Sequence, residues 1–247
     1  MKRILIFLFV LAEVSAFAQK EDKIEYYTDS DVHRSIVSLQ LGYMPYFSNR
    51  RLIANSANPQ PDYFLLNNST TGKFGQGFGG DLLFQIASNF EVGVGVYKTN
   101  AHYQWDFVKI VDNLEGGNSD TLEVLSWDIF ANHWTVPIQF GFVTQVSDQW
   151  WLQVYPALEL NFLDKLEYDY LVRGEQESRK LDVTETLGTD FNIAINFGLG
   201  AEYRFIEKMG LYTRVQFRYY FFPLAEEGVI REILYTVGGH IGVRYYF

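Results

Sequence analysis

Eight stretches of this chain alternate apolar and polar residues with a period of two, the signature of a β-strand whose two faces meet different surroundings. The clearest is residues 190–205. There Phe191, Ile193, Ile195, Phe197, Leu199, Tyr203 and Phe205 share one face, with Asp190, Asn192, Asn196, Gly198, Gly200, Glu202 and Arg204 on the other. Residues 233–247 repeat the pattern, setting Ile233, Tyr235, Val237, Ile241, Val243, Tyr245 and Phe247 against His240, Gly242 and Arg244. Residues 73–87 and 90–96 form a pair joined by Ser88-Asn89, which reads as a tight hairpin turn.

The connections alternate between long and short. Long ones follow the first, third and fifth strands, and short turns fall near residues 88–89, 145–149 and 207–210. No run of roughly eighteen apolar residues occurs after residue 18, so a membrane crossing has to be made by strands. The pattern predicts an all-β fold: an eight-stranded antiparallel up-and-down transmembrane β-barrel with long extracellular loops and short periplasmic turns. One break stands out. Beyond Val96 the lipid-facing positions are taken by Lys98, Asn100 and His102, which predicts a hairpin arm leaving the bilayer with its tip in residues 111–120. On the returning arm Trp127, Ile129 and Phe130 alternate poorly, so a bulge or a second packing surface is expected there. Residues 164–187, with seven acids and four bases, read as the most charged loop.

Composition fits this picture. The 21 Phe, 17 Tyr and 5 Trp make 17% of the chain, as aromatic girdles at two interfaces require, and there is no cysteine. A soluble β-sandwich is the plain alternative. Residues 1–18, with Lys2 and Arg3 before an apolar run and Ala16-Phe17-Ala18 before Gln19, read as a secretory signal peptide. Residues 19–33 are a polar, acidic, flexible periplasmic lead-in, and residues 34–247 the barrel domain. Formal charge is −10, and removing Lys2, Arg3 and Glu13 leaves −11. Such an acidic exterior argues against a nucleic-acid partner.

Eight strands enclose a lumen just wide enough for side chains to fill. The inward positions carry Asp81, Glu91, Glu159, Asp190 and Glu202 with Arg204, Arg214, Arg218 and Arg244, and His240 among them. Buried charges of opposite sign should pair, so a salt-bridged plug is expected. The alternative is a gated conduit in which Arg214, Arg218 and Arg244 select anions. Catalytic, cofactor and metal sites are not expected: the four histidines show no HExxH spacing, and GxSxG and a phosphate loop with its lysine do not occur. A lipid-A-modifying enzyme would need a nucleophile or base facing the outer leaflet, and the candidates near the upper rim, His102 and His133, have no evident serine partner. Tyr103, Trp105, Trp127 and Phe130 give the arm more aromatic surface than an idle loop needs, which marks either a candidate partner surface for another envelope protein or an aromatic girdle where membrane meets water.

The strand His133-Trp134-Thr135-Val136-Pro137-Ile138-Gln139-Phe140 and the terminal Arg244-Tyr245-Tyr246-Phe247, together with the signal and the cysteine-free chain, resemble the small outer-membrane β-barrel proteins of Bacteroidota, the PorT-like superfamily. The resemblance implies residence in the outer-membrane lipid and recognition of the Phe247-terminal strand by the barrel-assembly machinery. It also implies a role in secretion or surface assembly, and carries no catalytic residues with it. Asp120-Thr121-Leu122 is similar to the O-glycan sites of exported proteins in that group.

Overall fold

The computed structural model describes residues 37–54, 70–105, 109–112, 121–172, 178–182, 184, 190–222, 226–227 and 230–247. The signal peptide and lead-in expected at residues 1–33 lie outside these. Eleven strands run through the described residues: β1 (Val37–Ala54), β2 (Thr70–Ala87), β3 (Phe90–Trp105), β4 (Lys109–Asp112), β5 (Thr121–Gln145), β6 (Trp150–Val172), β7 (Arg179–Asp182), β8 (Phe191–Ile206), β9 (Met209–Tyr220), β10 (Glu226–Glu227) and β11 (Ile230–Tyr246).

Eight of them close a ring. β1, β2, β3, β5, β6, β8, β9 and β11 each pair antiparallel with the next, and β11 returns to β1 from Ser38 opposite Tyr246 to Ala54 opposite Ile230. The short strands β4, β7 and β10 lie against β5, β6 and β11. Tight turns at residues 88–89, 146–149 and 207–208 all fall at the end where β1 begins and β11 finishes. Closing the ring removes the sheet edges, which is what allows a sheet to stand in lipid.

The exterior carries two aromatic belts. At the end away from the tight turns, Phe47 packs on Phe74 and Phe162 on Phe191, with Trp134 between them in the wall. At the other end Phe90 meets Phe142, Trp150 meets Tyr203 and Tyr245 meets Phe247. Between the belts the outer face is aliphatic, and Leu41, Val94, Ile138, Leu158, Ile195, Val215 and Ile241 are all exposed. Water would not tolerate so continuous an apolar band, whereas lipid requires it. The chain is therefore a transmembrane barrel of the outer-membrane type.

Above the upper belt the strands do not stop, and here the structure departs from the pattern read in the sequence. β6 runs on to Val172 and β7 pairs back onto it, so residues 164–172 and 179–182 of the charged loop expected at residues 164–187 are paired strand. A bulge makes this possible. Asn132 faces Lys165 and His133 faces Leu163, so Asp164 is an extra residue in β6 and the strand changes phase there. Below the bulge Gln153, Tyr155, Glu159 and Asn161 point inward; above it Leu166, Tyr168, Tyr170 and Val172 do. One inserted residue flips every later side chain to the opposite face. The bulge's free backbone is capped from outside β6: Thr184 Oγ1 accepts from Leu166 N at 2.8 Å, and the Asp190 carbonyl accepts from Leu163 N at 2.9 Å.

On β3 and β5 no slip occurs at this level, yet the polarity reverses. Ala101, Tyr103, Trp127, Ile129 and Ala131 are buried inside, while Lys98, Asn100, His102, Asp128 and Asn132 stand outside. With Leu166, Tyr168, Tyr170, Tyr220 and Leu234 the inward residues form an apolar core that caps the lumen.

Candidate functional site: the lumen network and the raised sheet

Three polar layers fill the barrel between the belts. Nearest the tight turns, Arg244 grips Glu91 with two nitrogens, at 2.5 and 3.0 Å, and reaches Glu202 at 3.5 Å. Arg204 Nε lies 3.0 Å from the other oxygen of Glu202, and its guanidinium is sandwiched between Trp151 and Tyr246 with ring centroids at 4.3 and 4.0 Å. Gln153 donates to Glu202 at 2.6 Å and Tyr246 donates to it as well. A fork-shaped guanidinium can satisfy carboxylate and ring face together, which is why arginine fills a narrow lumen better than lysine.

The middle layer holds charge without direct ion pairs. Arg214 lies between Tyr155 and Tyr212, 3.7 and 4.6 Å from their centroids, and donates to Gln40 at 2.7 Å and Gln153 at 3.2 Å. Tyr97 donates to Asp81, and His240 Nε2 and the Tyr212 hydroxyl are hydrogen-bonded at 2.8 Å. Gly42 leaves room for this pair, since a Cβ there would collide with both His240 Nε2 and the Tyr212 oxygen. In the third layer Arg218 donates to Glu159 at 3.1 Å and its Nε lies against the second carboxylate oxygen. Asn196 donates to the same Glu159 oxygen at 2.8 Å.

Nine of the ten residues read as a lumen network thus lie in the lumen. Asp190 does not: it is exposed in the bend before β8, where its side chain meets solvent and its carbonyl ends β6 pairing. Four acids remain against Arg204, Arg214, Arg218 and Arg244, so the set is electrically balanced. A reading by charge gives no weight to Gln40, Tyr97, Gln153, Tyr155 and Tyr212, which carry much of the network. Strict alternation with the named acids is the signal that could have included them.

The candidate partner surface changes more. Tyr103 and Trp127 are buried in the apolar cap, Trp127 stacking on Tyr170 at 5.2 Å, so neither ring is available to a partner. Trp105 ends β3 opposite Trp127 in register, with its side chain outside the described residues. Phe130 does face outward, and His102 stacks on it at 4.1 Å while its Nε2 meets Asp128 at 2.9 Å. His133 lies on the opposite side of the wall, fully enclosed near Tyr220. The two histidines therefore cannot serve one site. Among the described residues no group of three His, Asp or Glu side chains is close enough to hold a metal ion.

Around Phe130 the raised face of β3, β5 and β6 is a lattice of polar pairs. Lys98 sits over the Trp134 ring at 4.7 Å and pairs with Asp164; Asn100 donates to Asn132 at 2.7 Å; Lys165 donates to Glu167 at 2.8 Å. The Glu167 hydrogen bond raises the Lys165 pKa, and the Thr184 hydroxyl and backbone N–H hold the Asp182 carboxyl below its ordinary range.

No family model and no curated protein matches the chain. Among solved structures it is similar to the outer membrane protein OprG from Pseudomonas aeruginosa, at 12% identity over 87% of this chain and 97% of that one, with a TM-score of 0.41. It is similar also to a major outer membrane protein from Thermus thermophilus, at 10% identity over 85% and 99%, with a TM-score of 0.43. Neisserial surface protein A matches at 9% identity over 86% and 98%, with a TM-score of 0.40.

Proposed function

We propose that this outer-membrane barrel is a sealed, non-enzymatic component of the cell envelope that binds a partner through the raised sheet face of β3, β5 and β6. The observation that carries this reading is the exchange of inside and outside above the upper belt. Strands that merely cross a bilayer need no apolar interior beyond it, yet here a packed aromatic core holds a polar sheet rigid and clear of the lipid. Rigid elements present a contact surface at lower entropic cost than mobile loops. The His102–Phe130 stack, ringed by Asn100, Asn132, Lys165 and Glu167, has the aromatic centre and polar rim of a contact patch. Secretion or surface assembly, as in PorT-like proteins, is one form such a role takes.

Affinity purification of the full-length protein from native envelopes tests this. The wild type should recover a partner that Phe130→Ala together with Asn132→Lys loses, by roughly 30-fold for a hot spot of about 2 kcal/mol. Equal recovery by both, with heat-modifiable gel mobility intact, would remove the raised face from consideration. In planar bilayers the barrel should be electrically silent; discrete conductance steps would favour a small-solute channel instead.

A further inference from the structure

Between the middle and third layers the packing leaves a cavity of about 30 Å³, lined among others by Asp81, Gln139, Glu159, Asn196, Arg214 and Arg218. Five of these six present a buried polar atom that finds no hydrogen-bond partner in the protein: Asp81 Oδ1, Gln139 Nε2, Glu159 Oε2, Asn196 Oδ1, and Nε and Nη1 of Arg218. Glu159 Oε2 and Arg218 Nε lie in ionic contact with each other, although poorly aligned for a hydrogen bond. Gln139 also neighbours Asp81, and Tyr220 neighbours Arg218, without a hydrogen bond that satisfies these atoms. Two donors, Gln139 Nε2 and Arg218 Nη1, and two acceptors, Asp81 Oδ1 and Asn196 Oδ1, are left around one small space.

Size, charge and hydrogen bonding together choose the occupant. A polar cavity needs roughly 10–15 Å³ to hold a water molecule, so this one accepts one or two and nothing much larger. Its walls carry two carboxylates, Asp81 and Glu159, and two guanidiniums, Arg214 and Arg218. Their formal charges are two of each sign, so the walls offer no excess of either sign to attract an ion. The guest must be neutral, and must both donate and accept.

We infer that this cavity is a binding site for one or two ordered water molecules, which bridge Asp81 to the Arg218–Glu159 layer and complete the closure of the lumen. The barrier across the barrel is then wet at its centre and closed above and below. Below, the Arg204, Arg244 and Glu202 cluster fills the bore; above, the apolar cap excludes water.

Radiolytic hydroxyl footprinting of the folded full-length protein in vesicles, run in water enriched in oxygen-18, reads this directly, because radicals born from a bound water attack the side chains beside it. Tyr97 lines the cavity and Tyr170 lies in the apolar cap, and both are 2% exposed. Tyr97 should be labelled several-fold faster than Tyr170 and should carry the heavy oxygen. Equal slow labelling of the two rings overturns the proposal. Crystals grown with rubidium bromide in place of sodium chloride give an independent reading: anomalous density in the cavity overturns a neutral guest, and its absence there with density at surface sites supports one.

Discussion

The barrel between the belts and the sheet raised above them use the same strands and obey opposite rules. Between the belts Ile195, Val215 and Ile241 face out and Glu159, Arg218 and Arg244 face in; above them Asn100, His102 and Asp128 face out and Tyr103, Trp127 and Ile129 face in. What changes is the solvent. Burial of apolar surface drives folding only where the alternative is water, so the raised part hides its hydrocarbon as a soluble protein does. In lipid the hydrocarbon is already at home, and the backbone and charges need the interior. β3 and β5 pass from one regime to the other without a slip in register, simply by exchanging which parity is greasy, while β6 does it with the Asp164 bulge.

Substitutions in the two regions should separate these rules. Glu159→Ala strands the Arg218 guanidinium, which is 1% exposed, and should lower stability in urea-vesicle titrations by about 3–5 kcal/mol. A loss under about 1 kcal/mol would show that bulk water reaches this layer. In the cap, Ile129→Ala should cost about 2–5 kcal/mol, the range for truncating a well-packed core residue. An unaffected barrel would mean that the raised core is not packed.

Smaller effects sharpen the contrast. Ile195→Arg, on the lipid face, should cost about 2–4 kcal/mol, whereas Asn132→Arg on the outer face above the belt should cost no more than about 1 kcal/mol, the share of its hydrogen bond from Asn100. Similar costs at the two sites would place the bilayer boundary elsewhere. Asn196→Ala removes a donor from Glu159 and should cost about 1 kcal/mol by the same titration. The smallest effect is electrostatic. Because Thr184 holds the folded Asp182 carboxyl below its unfolded value, the contact contributes stability above the unfolded pKa and loses it as pH falls through the folded one. Carboxyl carbon NMR should find Asp182 titrating below the ordinary aspartate range, and Thr184→Val, which removes the hydroxyl and keeps the backbone N–H, should bring it part of the way back. No change on Thr184→Val would assign the shift to the backbone N–H of residue 184, 3.1 Å from the carboxylate, and to Lys165, 4.0 Å away.

Alternation makes the eight crossing strands, their inward charges and the short turns readable, because within lipid every second side chain must be apolar. The same rule hides the raised region. Lys165, Glu167 and Asp169 alternate with Leu166, Tyr168 and Tyr170, yet so many charges in a row resemble a loop, and nothing local says that the hydrocarbon there faces inward. Parity misplaces Asp190 for a related reason, since it assigns a strand's first residue to a face before the strand has begun.

By itself the sequence determined that this chain closes into a barrel with an apolar coat and a charged interior, since periodicity is a local property that each strand declares alone. Only the tertiary structure decided which arginine meets which glutamate, that Tyr103 and Trp127 turn into a cap instead of out toward a partner, and that a small polar cavity remains at the centre. Those outcomes depend on residues far apart in the chain, such as Arg218 with Glu159 and Arg244 with Glu91, being brought to one height by the shear of the closed sheet.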